Sequence, residues 1–339
     1  GQRRNATTTE TGKGESTMAS PIVESKAGQP AESAPGRRRP CVFIHTNPQQ
    51  MVGALVAAYA LKRNSHHADR FDVEIINSAD HGFLSAREGQ SYMRDGVRRT
   101  WRSRDLQSFT PLRFMPPELM GYQGRAIVID PDIFAVADVW ELLSRDMGDA
   151  AIMCRKRSGP KGWYGCFASS VMLLDCAKLT HWRCQEQFDA MFDFKLDYMD
   201  WISLKREPAG SIGLFEKEWN DFDRLTPATR MLHNTRRRTQ PWKTGLPIDF
   251  TPADAFGPIP AYATIARIAM RALGRVGPFA RYWRHPDSEQ ERLFFGLLRE
   301  CLDKGIVTQS QIEDEMRQDH VRHDAIEVIR RITPLPQPA

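Results

Sequence analysis

The segment Gly124-Arg125-Ala126-Ile127-Val128-Ile129-Asp130-Pro131-Asp132-Ile133 constrains this chain most. An apolar, β-branched run ends abruptly in two carboxylates separated by one proline. The run from Ala126 to Ile129 reads as a strand buried on both faces, as in a parallel sheet. Ligands of open α/β sheets gather at the carboxyl ends of such strands, so Asp130 and Asp132 are expected at a crevice. Two close carboxylates repel unless a cation lies between them, and hard oxygen ligands suit Mn2+ or Mg2+. Asp-Pro-Asp is also ordinary turn chemistry at a strand end. From this segment alone both readings stand.

The rest of the chain supplies the sheet. Cys41 to Asn47 reads as a buried strand running into Pro48, Met51 to Arg63 as an Ala- and Leu-rich helix, and Phe71–Asn77 as a second strand. Strand, helix, strand at this spacing opens a βαβ unit. Leu112–Met120 is expected to be helical, Val139–Leu143 an amphipathic turn, Ala150–Met153 and Val171–Leu174 strands, and Leu179–Leu204 largely helix. A basic, Gly-rich loop, Arg155 to Gly165, lies between the two later strands.

At 339 residues, 41% hydrophobic and 26% charged, the composition is that of a soluble globular protein, and a net charge of +5 gives no reason to invoke nucleic acid. Cys41, Cys154, Cys166, Cys176, Cys184 and Cys301 show no close pairing, so neither a zinc site nor a disulfide framework is indicated and a reducing cytoplasm is the expected home. No apolar run reaches the roughly 20 residues of a spanning helix, which leaves peripheral membrane association as the expected limit.

Residues 1–39 hold no aromatic side chain and are rich in Thr, Ser, Glu, Gly and Pro, the composition of a disordered tail. Met18 offers an alternative start. Residues 40–247 carry the α/β pattern, 248–332 a helical region, and 333–339 a Pro-rich tail. Within the helical region, Tyr262 to Val276 fits an amphipathic helix with Arg267, Arg271 and Arg275 along one side. The span 259–285 interleaves arginines with Phe279, Tyr282 and Trp283. It suits either an anionic membrane surface or a helix packed on the domain with solvated arginines. Arg236-Arg237-Arg238 beside Thr239, Gln240 and Trp242 reads as an anion-binding loop or a solvated basic one.

Taken in order, several of these segments resemble the retaining GT-A-fold glycosyltransferases of family 8, the glycogenin and bacterial lipopolysaccharide galactosyltransferase group. The resemblance covers about Cys41 to Gly245. It rests on the strand ending in Thr46-Asn47, on Leu112-Arg113-Phe114, and on Asp130-Pro131-Asp132. Phe167-Ala168-Ser169-Ser170-Val171 is similar to the family's sugar-side strand. Trp219-Asn220, Leu232-His233 and Pro241-Trp242 are similar to its closing motifs. The implied fold is a Rossmann-like, mostly parallel central sheet flanked by helices, with a C-terminal helical appendage.

The implied activity is metal-dependent transfer of a sugar, with retention, from a nucleotide-sugar donor (a UDP-sugar first) to a saccharide or lipid-linked acceptor. Asp130, Asp132 and His233 are the implied ligands of Mn2+ or Mg2+. Thr46, Asn47, Arg113, Ser169, Arg236, Arg237, Arg238 and Lys243 are the implied donor-binding residues. Where the family has a carboxylate pair gripping the sugar, this chain has Tyr198-Met199-Asp200; Asp200, or Asp197 one residue before this triplet if the local register shifts, is the catalytic candidate. The family's sugar-side asparagine and glycine are Ala168 and Ser170 here, so the sugar pocket has been rewritten. Those departures keep open a catalytically silent, nucleotide-sugar-binding or scaffold protein. A nucleotidyltransferase ranks lower, because His45-Thr46-Asn47-Pro48-Gln49-Gln50 lacks a Gly-rich phosphate loop.

Overall fold

The computed structural model describes residues 38–105, 107–157, 166–249 and 280–338. The expected tail up to residue 37, the glycines of the basic loop, and the helix at 262–276 with most of the 259–285 stripe lie outside these residues. The architecture is mixed α/β. In chain order the elements are β1 (Cys41–Thr46), α1 (Met51–Arg63), β2 (Asp72–Asn77), α2 (Gly82–Ser85), β3 (Ser91–Arg94) and β4 (Val97–Thr100). Then come α3 (Pro116–Leu119), β5 (Arg125–Ile129), β6 (Ile133–Ala135), α4 (Trp140–Leu143), β7 (Ile152–Lys156), β8 (Phe167–Asp175), α5 (Cys184–Phe192) and α6 (Tyr198–Ile202). β9 (Ile212–Leu214), β10 (Asp221–Phe222) and β11 (Met231–His233) precede α7 (Ser288–Asp303), α8 (Gln309–Arg317) and α9 (Ala325–Arg331).

A six-stranded sheet runs β2-β1-β5-β8-β7-β9, with β1–β2, β1–β5 and β7–β9 parallel and β8 antiparallel to both of its neighbours. β1 is buried along its whole length and β5 from Ala126 onward, as expected of central strands covered on both faces. Register does the positioning. Ile44 pairs with Ile129, which sets His45 alongside Asp130, and Ile129 pairs with Val171, which brings Ser169 and Ser170 to the same sheet end. A smaller sheet, β10-β11-β6, crosses there; His233 pairs with Ile133 one residue past Asp132.

Two helical expectations are corrected. Leu112–Met120 is not one helix: Pro111, Pro116 and Pro117 lack amide donors and break it into a 3-10 turn, Thr110–Phe114, and the single turn of α3. Leu179–Leu204 holds two short helices, interrupted where Phe194 takes a left-handed φ of 58° and Asp197 caps α6. The C-terminal helices share the core, with Phe294 packed on Phe134 and Trp242. No helix among the described residues is long and apolar enough to cross a membrane.

Candidate functional site

A cleft of about 290 Å³ opens at the carboxyl end of β5. On its floor, ligand atoms of Asp130, Asp132 and His233 lie within 4.8 Å of one another, the one such cluster among the described residues. The β6–β11 ladder puts His233 there, reinforced by the Asn234 N–H donating to the Asp132 carbonyl at 3.1 Å. Two carboxylates and an imidazole make a hard, mixed O/N donor set that fits Mn2+ or Mg2+.

Each ligand is oriented by a neighbour. Arg113 Nη2 donates to Asp130 Oδ1 at 2.6 Å, and His45 Nε2 lies 3.0 Å from the same oxygen, so both contacts leave Oδ2 to a cation. Burial alone would raise the Asp130 pKa; the Arg113 guanidinium and then His45 outweigh it and hold the carboxyl well below the usual range. Burial lowers the His45 pKa despite the nearby Asp130, favouring a neutral ring. Asp132 Oδ2 accepts from Gln240 Nε2 at 3.1 Å, while Oδ1 faces His233 Nε2 at 3.4 Å.

His233 is held from behind. Its Nδ1 is 2.8 Å from Asn220 Oδ1, and Asn220 Nδ2 donates to Ser170 Oγ at 2.9 Å. In this orientation of the amide, His233 Nδ1 carries the proton and the Nε2 lone pair points to the carboxylates, the usual support of a metal-binding histidine. Arg155 holds the same residue by its main chain, donating to the Asn220 backbone carbonyl at 2.6 Å and lying 4.0 Å over the Phe222 ring.

The other expected site residues divide. Arg113 bridges Asp130 and Ser169, donating to Ser169 Oγ at 2.7 Å. Thr46 and Asn47 are buried at the end of β1 beneath the cleft wall, where Gln50, the next turn on, is the lining residue. Of the three arginines only Arg237 lines the cleft. Arg236 is exposed near Asp223, and Arg238 lies 5.6 Å over Trp283. Lys243 is not at the cleft: it is buried against Asp249 at 2.6 Å, close to Tyr282.

The catalytic candidates, Asp197 and Asp200, both have protein partners. Asp197 spends its carboxylate on backbone N–H groups of Asp95, Gly96 and Met199 (3.0, 2.9 and 2.7 Å), with Asp200 N–H longer at 3.4 Å. Burial would raise its pKa, and these donors bring it below the usual value instead. Asp200 pairs with Lys205 at 2.8 Å. The cleft is lined from α6 by Tyr198, Met199 and Ile202.

Sequence reading missed Arg94, Gln107, Phe109, Arg157 and Phe222 as lining residues. One signal was available. Arg94-Asp95-Gly96-Val97 is a hairpin turn sequence, and Asp95 and Gly96 adopt φ of 56° and 70°.

No protein-family model and no curated protein matches this chain. Among solved structures it is similar to the glycosyltransferase GlyE of Streptococcus pneumoniae TIGR4, with 13% identity, 80% of this chain and 64% of that one covered, and a TM-score of 0.44. It thus spans less than two thirds of the GlyE chain. The galactosyltransferase LgtC in complex with donor and acceptor sugar analogs aligns at 13% identity over 66% of this chain and 99% of that one, TM-score 0.43. Mouse xyloside xylosyltransferase 1 aligns at 11% identity over 57% and 97%, TM-score 0.37. These are distant likenesses, and what the cleft can do is read from its own residues.

Proposed function

We propose that this chain is a divalent-metal-dependent glycosyltransferase that takes a nucleotide-sugar donor, with a uridine diphosphate sugar the first candidate. The observation that carries the reading is the Asp130–Asp132–His233 cluster at a sheet-end crevice, with Arg113 and Arg237 on the same walls. Asp130, Asp132 and His233 would hold Mn2+ or Mg2+; bound there, the ion supplies positive charge against a leaving diphosphate. Arg113 and Arg237 present guanidinium groups suited to phosphate oxygens. Gln240 holds the Asp132 carboxylate, and Ser169 the Arg113 fork, so the anion meets groups already in place. The acceptor, a saccharide or lipid-linked one, would enter from the side of the C-terminal helices.

A second reading, binding without turnover, is favoured by one feature. Asp130 and Asp132 are the only carboxylates among the described residues lining the cleft, which leaves no further carboxylate to serve as base or nucleophile. Titrating UDP, GDP, ADP and CDP by calorimetry, with and without Mn2+, tests both. Mn2+-dependent binding of one nucleotide, lost in Asp132→Asn and His233→Ala variants that still melt cooperatively, is the expected result. Release of free sugar from the matching donor then separates enzyme from binder. If no nucleotide binds in the presence of Mn2+, both readings fall.

A further inference from the structure

Gln290 lies in the first turn of α7, buried and away from the cleft lining, yet its amide reaches the segment that carries His233. Its Nε2 donates to the Asp223 carbonyl at 3.0 Å and to Asp287 Oδ2 at 3.2 Å. A backbone carbonyl only accepts, so the Asp223 contact fixes which way the amide faces. Oε1 is thereby turned to Asn234, whose Nδ2 donates to it at 2.6 Å. We propose that Gln290 is a positioning residue for the candidate metal site, acting through Asn234 to set where Asp132 and His233 stand. The inference rests on the metal reading above.

Asn234 follows His233 directly and is itself buried. Its N–H donates to the Asp132 carbonyl at 3.1 Å, and its own carbonyl accepts from Gln240 Nε2 at 3.4 Å. The same Gln240 nitrogen donates to Asp132 Oδ2 at 3.1 Å. One residue therefore joins the main chain beside His233 to that of Asp132, and the Gln240 amide joins both. The main chain of Asn234 is committed to the site, and its side chain is committed to α7.

Asp223, in a left-handed conformation with a φ of 53°, holds the same loop from another side. Its N–H donates to the His233 carbonyl at 2.9 Å, and its carboxylate accepts from the Thr235 hydroxyl and from the Arg236 N–H at 3.0 Å. Its carbonyl is the one that Gln290 meets. The Trp283 N–H adds a tie from the C-terminal segment, donating to the Arg238 carbonyl at 2.7 Å. This loop carries Thr235, Arg237 and Gln240 into the cleft, so a shift in it moves a wall as well as the ligands. An apolar group in place of the Gln290 amide leaves Asn234 Nδ2 and the Asp223 carbonyl buried without that partner, and the loop must rearrange to satisfy them. Outer-shell groups that orient metal ligands act in this way. Although none of their described residues lines the cleft, the C-terminal helices thereby belong to its machinery.

The test titrates Mn2+ by calorimetry into each protein with UDP present. Absence of Mn2+ binding to the unmodified protein removes the metal reading, and this inference with it. Given binding, Gln290→Leu should lower Mn2+ affinity about tenfold or more while the protein still melts cooperatively. Ile312→Ala truncates a buried side chain in α8 and controls for a general loss of stability. It should melt at least as early as Gln290→Leu and keep full Mn2+ affinity. Asn234→Ala removes the same contact from the loop side and should show a similar loss. Adding Gln290→Leu to it should cost little more, because the two side chains form one link. If Gln290→Leu does not fold, Asn234→Ala carries the test by itself. Unchanged Mn2+ affinity in either single variant overturns the inference and leaves the metal reading intact. So does an equal loss in Ile312→Ala, or a double variant whose loss is the product of the two single ones.

Discussion

His233 Nδ1 lies 2.8 Å from Asn220 Oδ1, and this contact aims the opposite ring nitrogen at Asp132. Under the proposed metal reading, Asn220 is therefore a positioning residue behind His233 and not itself a ligand. Asn220→Ala should lower Mn2+ affinity about 10- to 100-fold, in line with other outer-shell losses. Asn220→Asp, which keeps an acceptor at the same place, should retain most of it. Calorimetric titration of Mn2+ into the protein with UDP present checks both. Equal affinity in the alanine variant would mean that the ring orientation is set elsewhere.

The Asp130–Asp132–His233 cluster was legible because its parts announce themselves locally. An apolar run stopping at Asp130-Pro131-Asp132 is visible in one segment, and Leu232-His233 is a short buried strand with a donor at its end. The pairing of Ile133 with His233 completes the cluster in the fold. The rest of the cleft was not legible, because there the same residue types serve structure. Asp197 stands just before a short helix, the position where an aspartate caps backbone donors, and in the fold it makes that cap. Lys243, named as a donor-binding residue, is buried and pairs with Asp249 away from the cleft. Arg94 and Arg157 reach the cleft through a hairpin and a strand end far apart in sequence, so no local pattern joins them. The helices expected at 112–120 and 179–204 are shorter in the fold because Pro116 and Pro117 break the first and the left-handed Phe194 and the Asp197 cap divide the second.

Asp138 joins the end of α1 to the start of α4. Its carboxylate accepts from Ser65 Oγ, the His66 N–H at 3.1 Å and the Trp140 N–H at 2.9 Å, and His67 Nδ1 lies 3.0 Å away. Burial would raise its pKa, but Ser65, His67 and the two backbone donors bring it below the usual value. A carboxyl whose folded pKa is lowered contributes stability that is present above its unfolded value, about 3.9, and is lost as pH falls through the folded one. Asp138→Asn should therefore cost about 2 kcal/mol at neutral pH. The gap from the parent protein should narrow at pH 3. Urea unfolding of both proteins at the two pH values measures this, and a gap that widens on acidification would contradict it.

Gly53 sits in the first turns of α1, where alanine is ordinarily the better residue by about 1 kcal/mol. Here a Cβ would fall 2.7 Å from the Pro131 carbonyl oxygen, in the middle of Asp130-Pro131-Asp132. That neighbour is backbone, so the helix or the Asp130-Pro131-Asp132 loop must move, and overpacking of this kind costs about 1–3 kcal/mol. Gly53→Ala should therefore destabilise the protein and weaken Mn2+ binding together. Gly82 in α2 is the control, since a Cβ there meets nothing within 4 Å and Gly82→Ala should be neutral or mildly stabilising. Melting temperatures and Mn2+ titrations of the two variants decide the matter. A Gly53→Ala protein with unchanged melting and full Mn2+ affinity would show that α1 does not hold the two aspartates in place.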